Sequence, residues 1–589
     1  MRYLLGTTTL AISAFLLAAP SAHADCSPFN TPGSGATLSG DARCIIFNPG
    51  DGEQLRAGDQ PGGSVGAVSI TNGAVVNLDS GNPANAPEDD PFVAIGRRPG
   101  ATGTMTISGP GSALNVNGND NGAAVHIGRE GAGNVTVENN GQMNIRDLAA
   151  SPGTFQTGGE SLSVGMNGGV GTLTADNGSV TVNSTSGAFI FVGREGGNGT
   201  FNVQNGANVF AVDQNTTGDG GGANITIGRD VNGVFGATGE MNVTGGTVSV
   251  QSTQNFGGIF VGRESGTNGT LNVSGAGTLM RAVSGTEAGI QIGRDGGSSG
   301  TVTVTDGAIL RANSDDSFMT LGREAGATGA LNVTNGGQVS VTGSTDGDIS
   351  VGAAFADFGR TDGGSGTLTV TGAGSTVTVT DRVIVGAPEQ FGGGNSLGRL
   401  TIADGGQVIA GNEVLIGTGG ILDGNGGSIL GDLVLDGGTI APGASPGVLD
   451  VTGDFTILGG LLDIEIGGII PGSAFDVINV SGDLIADNPF DIRLSFIDGF
   501  APGAGDTFDF LNIAGDSSDL STLLAASLLD VDVVGLPSGF AFDLGFDATT
   551  GTLSAITSVS AVPLPASFGF LLAGLAGLGL IGRRRRLVA

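Results

Sequence analysis

One phrase constrains this chain more than any other: an aliphatic residue, a variable residue, a second aliphatic residue and a glycine, as in Ile190-Phe191-Val192-Gly193. Its glycine recurs at Gly96, Gly128, Gly165, Gly193, Gly228, Gly262, Gly293, Gly322, Gly352, Gly386 and Gly417, in steps of 32, 37, 28, 35, 34, 31, 29, 30, 34 and 31 residues. A period near thirty with this scatter describes a constant strand set joined by loops of varying length, the signature of stacked coils. Positions −3 and −1 from each glycine are aliphatic or Met in every copy, for example Ile259/Val261, Ile290/Ile292 and Met319/Leu321. The residue between them varies freely (Ala94, His126, Ser163, Phe191, Thr226, Gln291), so period-two alternation sends the first set to a core and the second outward.

A second alternating run follows each turn, as in Phe201/Val203, Leu271/Val273 and Val302/Val304. A third follows an Asn-Gly, Gly-Gly or Asp-Gly corner, as in Val180/Val182, Val248/Val250 and Val339/Val341. Three strands and three corners make one triangular coil. Coils stacked in parallel at ~4.8 Å predict an all-β fold, a parallel β-helix rising on the order of 50 Å over eleven coils. Of 589 residues 114 are Gly, a heavy entropic load unless they serve the turns, which their periodicity indicates. An incomplete earlier coil is expected in residues 66–79, and a cap against end-to-end polymerisation in residues 25–63.

The two ends read as targeting segments. Arg2, an apolar run from Leu10 to Ala19 and Ala22-His23-Ala24 form a secretory signal peptide cut after Ala24. The only two cysteines, Cys26 and Cys44, follow the cut. A metal or redox pair would call for a CxxC spacing or a nearby His, so a disulfide restricting the N-terminal cap is the expectation, worth ~3 kcal/mol. At the other end Ser567 to Gly582 is an uncharged stretch of 16 residues, long enough for a transmembrane helix once Val562 to Ala566 is included. Arg583, Arg584, Arg585 and Arg586 supply the stop-transfer signal.

Val562-Pro563-Leu564-Pro565-Ala566, an apolar helix and a terminal arginine cluster resemble the VPLPA variant of the PEP-CTERM sorting signal over about the last 27 residues. This copy lacks the glutamate of the founding motif, as the variant does. The resemblance implies an exosortase-type membrane protease that reads the motif, removes the helix and passes the protein to the envelope surface or an exopolysaccharide matrix. Residues 417–516, with Gly437-Gly-Thr-Ile-Ala-Pro-Gly and Ser445-Pro-Gly, resemble the later coils of autotransporter passenger domains. That implies passenger architecture only, because the sorting tail follows in place of a membrane barrel. The expected organisation is therefore signal peptide 1–24, N-terminal cap 25–63, β-helix repeats 64–447, C-terminal coils with a Phe-rich cap 448–553, linker 554–560 and sorting tail 561–589.

All 22 basic residues are Arg, against 55 acids, for a net charge of −33. Such a surface excludes nucleic acid and anionic lipid as partners. The pairs Arg129-Glu130, Arg194-Glu195, Arg229-Asp230, Arg263-Glu264, Arg294-Asp295 and Arg323-Glu324, with Arg97-Arg98 as the odd member, invite a catalytic reading. Catalysis needs one convergent constellation, and six near-equal copies along a stack do not converge. They predict a structural charge ladder at the corner after each first strand. His126, the only His outside the signal peptide, is placed outward as an exposed imidazole. Arg281 and Arg311 end third strands and point out. Residues 118–122, 216–222 and 344–348 are acidic loops without the spacing of a calcium motif, so no cofactor is assigned beyond non-specific Ca²⁺ association.

The reading that results is a non-enzymatic, exported surface or matrix β-solenoid, structural or adhesive, that meets exopolysaccharide, matrix polymer or other cells. Its processing partners are the export machinery and an exosortase-type protease, and the tail helix anchors it in the membrane until cleavage. The alternative is a carbohydrate-active β-helix enzyme using carboxylates. Absence of Trp, with the single Tyr in the signal peptide, removes the usual sugar-stacking rings and favours the scaffold.

Overall fold

The computed structural model describes residues 27–30, 33–46, 53–79, 91–118, 122–147, 160–216, 221–230, 236–352, 363–388, 396–443, 446–486, 488–536, 540–559 and 575. The chain divides into two compact units, 1–224 with 252–255, and 225–251 with 256–589.

The first unit is a stack of three-strand coils in parallel register. Its first strands include Glu53–Ala57, Phe92–Ile95, Ala124–Ile127, Glu160–Met166 and Ala188–Arg194. Second strands Val65–Thr71, Thr102–Ser108, Ala132–Glu138, Val170–Asp176 and Asn198–Gln204 pair without a register shift, Gly over Gly and apolar over apolar. Third strands stack the same way and add a side-chain ladder, Asn115 Nδ2 to Asn77 Oδ1 at 2.7 Å and Asn144 Nδ2 to Asn115 Oδ1 at 2.9 Å. The parallel register reaches back to Glu53–Ala57, so the coil expected to be incomplete at residues 66–79 has all three strands. Ala36–Gly40 and Ala42–Ile46 then close the start by antiparallel pairing with Val65–Thr71 and Glu53–Ala57. An ion-pair network holds this cap: buried Asp59 meets Arg97 at 2.9 Å and Arg56 at 3.2 Å, and Asp41 accepts the backbone N–H groups of Asp59 and Gln60. Arg97 thus finds its acid in the preceding coil, which accounts for its having no acidic neighbour in sequence.

In the second unit the same triads continue in parallel, through Gly257–Val261, Glu287–Ile292, Asp316–Leu321 and Asp346–Val351 on the first sheet. From Gln407 onward corners flatten and strands fuse, third with first in Gln407–Gly417, third, first and second in Gly427–Ala441, and first with second in Phe455–Ile466, with register shifts where the corners would be. A second corner device appears here, the Gly-Asp pair at Asp432, Asp454, Asp483 and Asp516. Each carboxylate accepts the backbone N–H of the next, at 2.9, 2.8 and 2.7 Å. Toward the C-terminal end phenylalanines cluster around Phe508, which meets Phe475 at 5.5 Å and Phe496 at 6.1 Å edge to face. Two features differ from the sequence reading. Ser518–Ala525 is a helix, burying Leu520 and Leu523. Residues 554–559, expected as linker, lie in strand Thr552–Val559 and pair antiparallel with Thr507–Ile513 and Phe540–Asp547, because Leu553 and Ala555 are buried by alternation.

The corner glycines explain the repeat. Ten of them, Gly96 to Gly386 in the phrase, have φ between 63° and 77°. At Gly293 (φ +63°) a Cβ would stand 2.0 Å from the carbonyl oxygen of Thr328 one coil on, so the site is closed to every other residue on two counts. A second glycine column runs down the second strands: at Gly300 a Cβ would lie 2.1 Å from Val261 O. Gly277 has the same handedness (φ +82°) but open space around it. Gly277→Ala is expected to cost about 1–2 kcal/mol, the conformational penalty alone, and Gly293→Ala distinctly more, because the Thr328 carbonyl has to move. Urea unfolding of the two variants side by side checks this; equal costs would mean that coil contact contributes nothing at the corner.

Candidate functional site

The first sheet carries the charged motif, and here the structure corrects the alternation argument. The residues between the paired aliphatics are buried on the outer side too: Ser163, Thr226, Thr320 and Ser350 are 0–1% exposed, and Phe191, Phe260 and Gln291 only a few per cent more. Arginine side chains from the corner cover the two phenylalanines. Arg194 lies 4.9 Å over Phe191 and Arg263 4.6 Å over Phe260. His126 follows suit: its ring is half-buried rather than exposed, and Nδ1 has no partner among the described residues. Burial, with Arg129, Arg194 and Arg97 nearby, pushes its imidazole down to about 3, so it takes up no proton near neutrality.

Backbone hydrogen bonds tie the corner arginines to the glycines of the preceding coil. Arg263, Arg294 and Arg323 donate their backbone N–H to Gly228, Gly262 and Gly293 at 3.0–3.1 Å, one coil apart. In the first unit Arg97 and Arg129 do the same to Gly58 and Gly96. Arg194 pairs with Glu195 at 2.9 Å, Arg263 with Glu264 at 3.2 Å and Arg294 with Asp295 at 3.3 Å. Glu264 also reaches Arg229 at 3.8 Å and accepts the N–H of Asp230. Burial raises Glu264 and Asp295 despite these cations, and lowers Arg263. Glu130 and Glu324 occupy the same corner position beside Arg129 and Arg323, both half-buried. The rungs are more enclosed than a solvent-exposed ladder. Arg281 and Arg311 face outward in register on adjacent third strands, Arg281 donating to Ser249 Oγ.

In the second unit the sheet opens into a cleft of about 240 Å³ spanning three coils. Its floor is the in-register column Phe260, Gln291 and Thr320. Arg263, Arg294 and Arg323 form one wall, Glu287 the other, and Phe256 and Phe318 the remaining lining. Phe318 can lie flat only because its register partner is Gly289, where a Cβ would be 2.5 Å from the Phe318 ring. The sequence held a signal for this: Phe318 replaces a glycine of the Gly258, Gly289 column.

Asp348 is the next register partner after Phe318. Its carboxylate, with Asp346 and Asp381, makes a cluster whose oxygen atoms lie within 4.8 Å of one another, inside and beyond the acidic loop 344–348. An all-oxygen set suits a hard cation such as Ca²⁺. Arg382 is already there: its backbone N–H donates to Asp348 Oδ1 at 2.8 Å and its guanidinium to Oδ2 at 3.2 Å. Burial outweighs these bonds and pushes Asp348 up to about 7. Asp476, which accepts the N–H groups of Gly447 and Glu465, is likewise buried and pushed up to about 7. The other acidic loops, 118–122 and 216–222, lie partly outside the described residues.

Cys44 is disulfide-bonded; Cys26 lies outside the described residues. So do Val562, Pro563, Leu564, Pro565 and Ala566 and the arginines 583–586. Among the described residues no helix is long and apolar enough to cross a membrane.

No protein-family model matches this sequence, and no curated protein matches it. A solved structure does. A TibC-catalysed, hyper-glycosylated fragment of TibA matches at 17% identity and a TM-score of 0.24, over 64% of this chain and 94% of the fragment. At that identity and score the likeness carries neither function nor partner across.

Carboxylates raised by burial stabilise the fold while protonated and lose that contribution as pH rises through the folded-state value. For Asp348 and Asp476 the window runs from their ordinary 3.8 up to about 7. The melting temperature should therefore rise as pH falls from about 8 to about 5. Asp348→Asn should be more stable than the parent at the upper end and flatten the profile. Arg382→Gln should cost about 3–5 kcal/mol at high pH, where it strands a buried charge, and less in acid. Differential scanning calorimetry across that range reads all three. Asp59 has the opposite sign: bonds from Arg97 and Arg56 overcome burial and hold it low, so Asp59→Asn should destabilise at neutral pH and lose its effect in acid.

Proposed function

We propose that this protein is an exported β-solenoid of the cell surface or extracellular matrix, structural or adhesive rather than catalytic. An exosortase-type protease cleaves it at Val562 to Ala566. The observation that carries export is the bonded state of Cys44, which belongs to an oxidising compartment and agrees with the signal peptide read at residues 1–24. The scaffold reading rests on the corner ladder. Arg194, Arg263 and Arg294 are tied to their own coil's acid and Arg229 to the next coil's, so these charges hold coils in register, and the coils offer repeated flat faces for contact.

One observation favours a second reading, a carbohydrate-active enzyme. Asp348, held protonated up to about pH 7 beside two further carboxylates, has the proton affinity of a general acid. Against it, both Asp348 oxygens accept hydrogen bonds from Arg382, which ties the carboxyl group into the corner instead of presenting it to a substrate.

Cell fractionation with mass spectrometry of the mature protein tests the first reading. The expected species is extracellular, begins at Asp25, contains a disulfide and ends upstream of Ser567. Surface material retaining Arg583 to Arg586 would overturn the processing step, and cytosolic protein with free thiols would overturn export. Incubating the mature protein with polysaccharides should release no reducing ends; release abolished by Asp348→Asn would establish the enzyme instead.

A further inference from the structure

The cleft over Phe260, Gln291 and Thr320 contains a polar group that the fold leaves unsatisfied. Thr320 is 1% exposed, and its Oγ1 is buried in the floor of the cleft with no hydrogen-bond partner. Leaving a buried hydroxyl unpaired costs about 1–3 kcal/mol, a sum that valine, equal in shape and common in these strands, would avoid. Above it is an aromatic surface. Phe256 and Phe318 stack at 6.0 Å with 28° between their planes, and Phe256 also meets Phe260 at 5.8 Å.

The chemistry of the walls selects the ligand class. An anion entering beside Arg263 and Arg294 meets Glu287 across the cleft and the acids Glu264 and Asp295 already paired with those arginines, in a chain of net charge −33. A cation meets three guanidinium groups. A wholly apolar ligand would fill the space over the phenylalanines and leave Thr320 Oγ1 unpaired. What remains is a neutral molecule with a flat C–H face and several hydroxyl groups. Hydroxyls both donate and accept, so they match a set that mixes Arg donors, a Glu acceptor, and Gln and Thr groups of both kinds.

We propose that this cleft is a sugar-binding subsite that takes a pyranose ring of a neutral polysaccharide, its C–H face on Phe256 and Phe318 and its hydroxyls on Thr320, Gln291 and Glu287. The assignment rests on the matrix reading above and supplies its partner class. It also restores a sugar platform that the absence of Trp had argued against: phenylalanines brought together from two coils provide it. Phe318 sets the cleft's place in this unit, because the two preceding coils have Gly258 and Gly289 at that position.

Titration of the mature full-length chain by calorimetry with neutral hexasaccharides (a β-1,4-glucan, an α-1,6-glucan and a β-1,4-mannan) tests this, with hexagalacturonate as the charged comparison. At least one neutral hexamer should bind, and bind more tightly than hexagalacturonate. Thr320→Val should weaken that binding roughly five- to tenfold, the loss of one hydrogen bond, while raising the melting temperature because the orphaned hydroxyl is gone. Phe318→Leu should weaken binding with little change in the melting temperature. Three results would each overturn the proposal: no neutral hexamer binds, hexagalacturonate binds best, or Thr320→Val stabilises the chain without affecting affinity. Fractionation reads export and processing independently, so failure here is distinguishable from failure of the localisation.

Discussion

At the corner after the first strand of these coils, a backbone carbonyl of the next coil occupies the place where a side chain would begin. This exclusion of Cβ is the constraint on which the rest depends. A Cβ on Gly128 would stand 2.0 Å from Val170 O, and one on Gly293 the same distance from Thr328 O. Only glycine permits such an approach with φ near +70°, and the approach fixes the chain's turn from first to second strand. Once the turn is fixed, Ile290 must lie over Ile259 and Met319 over Ile290, and the aliphatic interior assembles as columns. A fully buried aliphatic side chain contributes about 1.5–3 kcal/mol, but only with a neighbouring coil to cover it, so stability resides in the interfaces between coils.

The same register that builds the core builds the outer surface. A residue type repeated at one position becomes a column, and a column of arginines would repel itself unless acids stood beside it. Glu264 solves this by reaching both Arg263 and Arg229 and by accepting the N–H of Asp230. Farther along, carboxylates replace arginines as the corner tie, and Asp432, Asp454 and Asp483 each accept a backbone N–H from the coil that follows. Two chemically opposite solutions thus serve one geometric need, the satisfaction of polar groups at a bend.

Much of this was legible in the sequence, for reasons that also mark where legibility stops. Ile190 and Val192, or Ile290 and Ile292, declare their side by period-two alternation, and the glycine after them declares the turn. Alternation says nothing about what lies above a strand. Thr226, Thr320 and Ser350 read as exposed because their burial depends on side chains from the corner and from adjacent coils. The pairing of Arg97 with Asp59 spans 38 positions, and the cleft exists because Phe318 falls on Gly289 in register, a coincidence visible only once the strands are stacked. Fusion of strands at Gln407–Gly417 and the helix Ser518–Ala525 occur where the phrase itself lapses.

Each coil touches its two neighbours through the same hydrogen-bond spacing and the same glycine columns, as Gly269, Gly300 and Gly329 do in succession. A coil is consequently a unit of length that can be copied or lost whole. A duplicated segment of about thirty residues would arrive already matched to the strands on either side, whereas the loss of one residue within a strand would turn its core side chains outward. Change in such a chain is cheap by the coil and costly by the residue, and a replacement as local as phenylalanine for glycine at position 318 can give one level of the stack a surface that its neighbours lack.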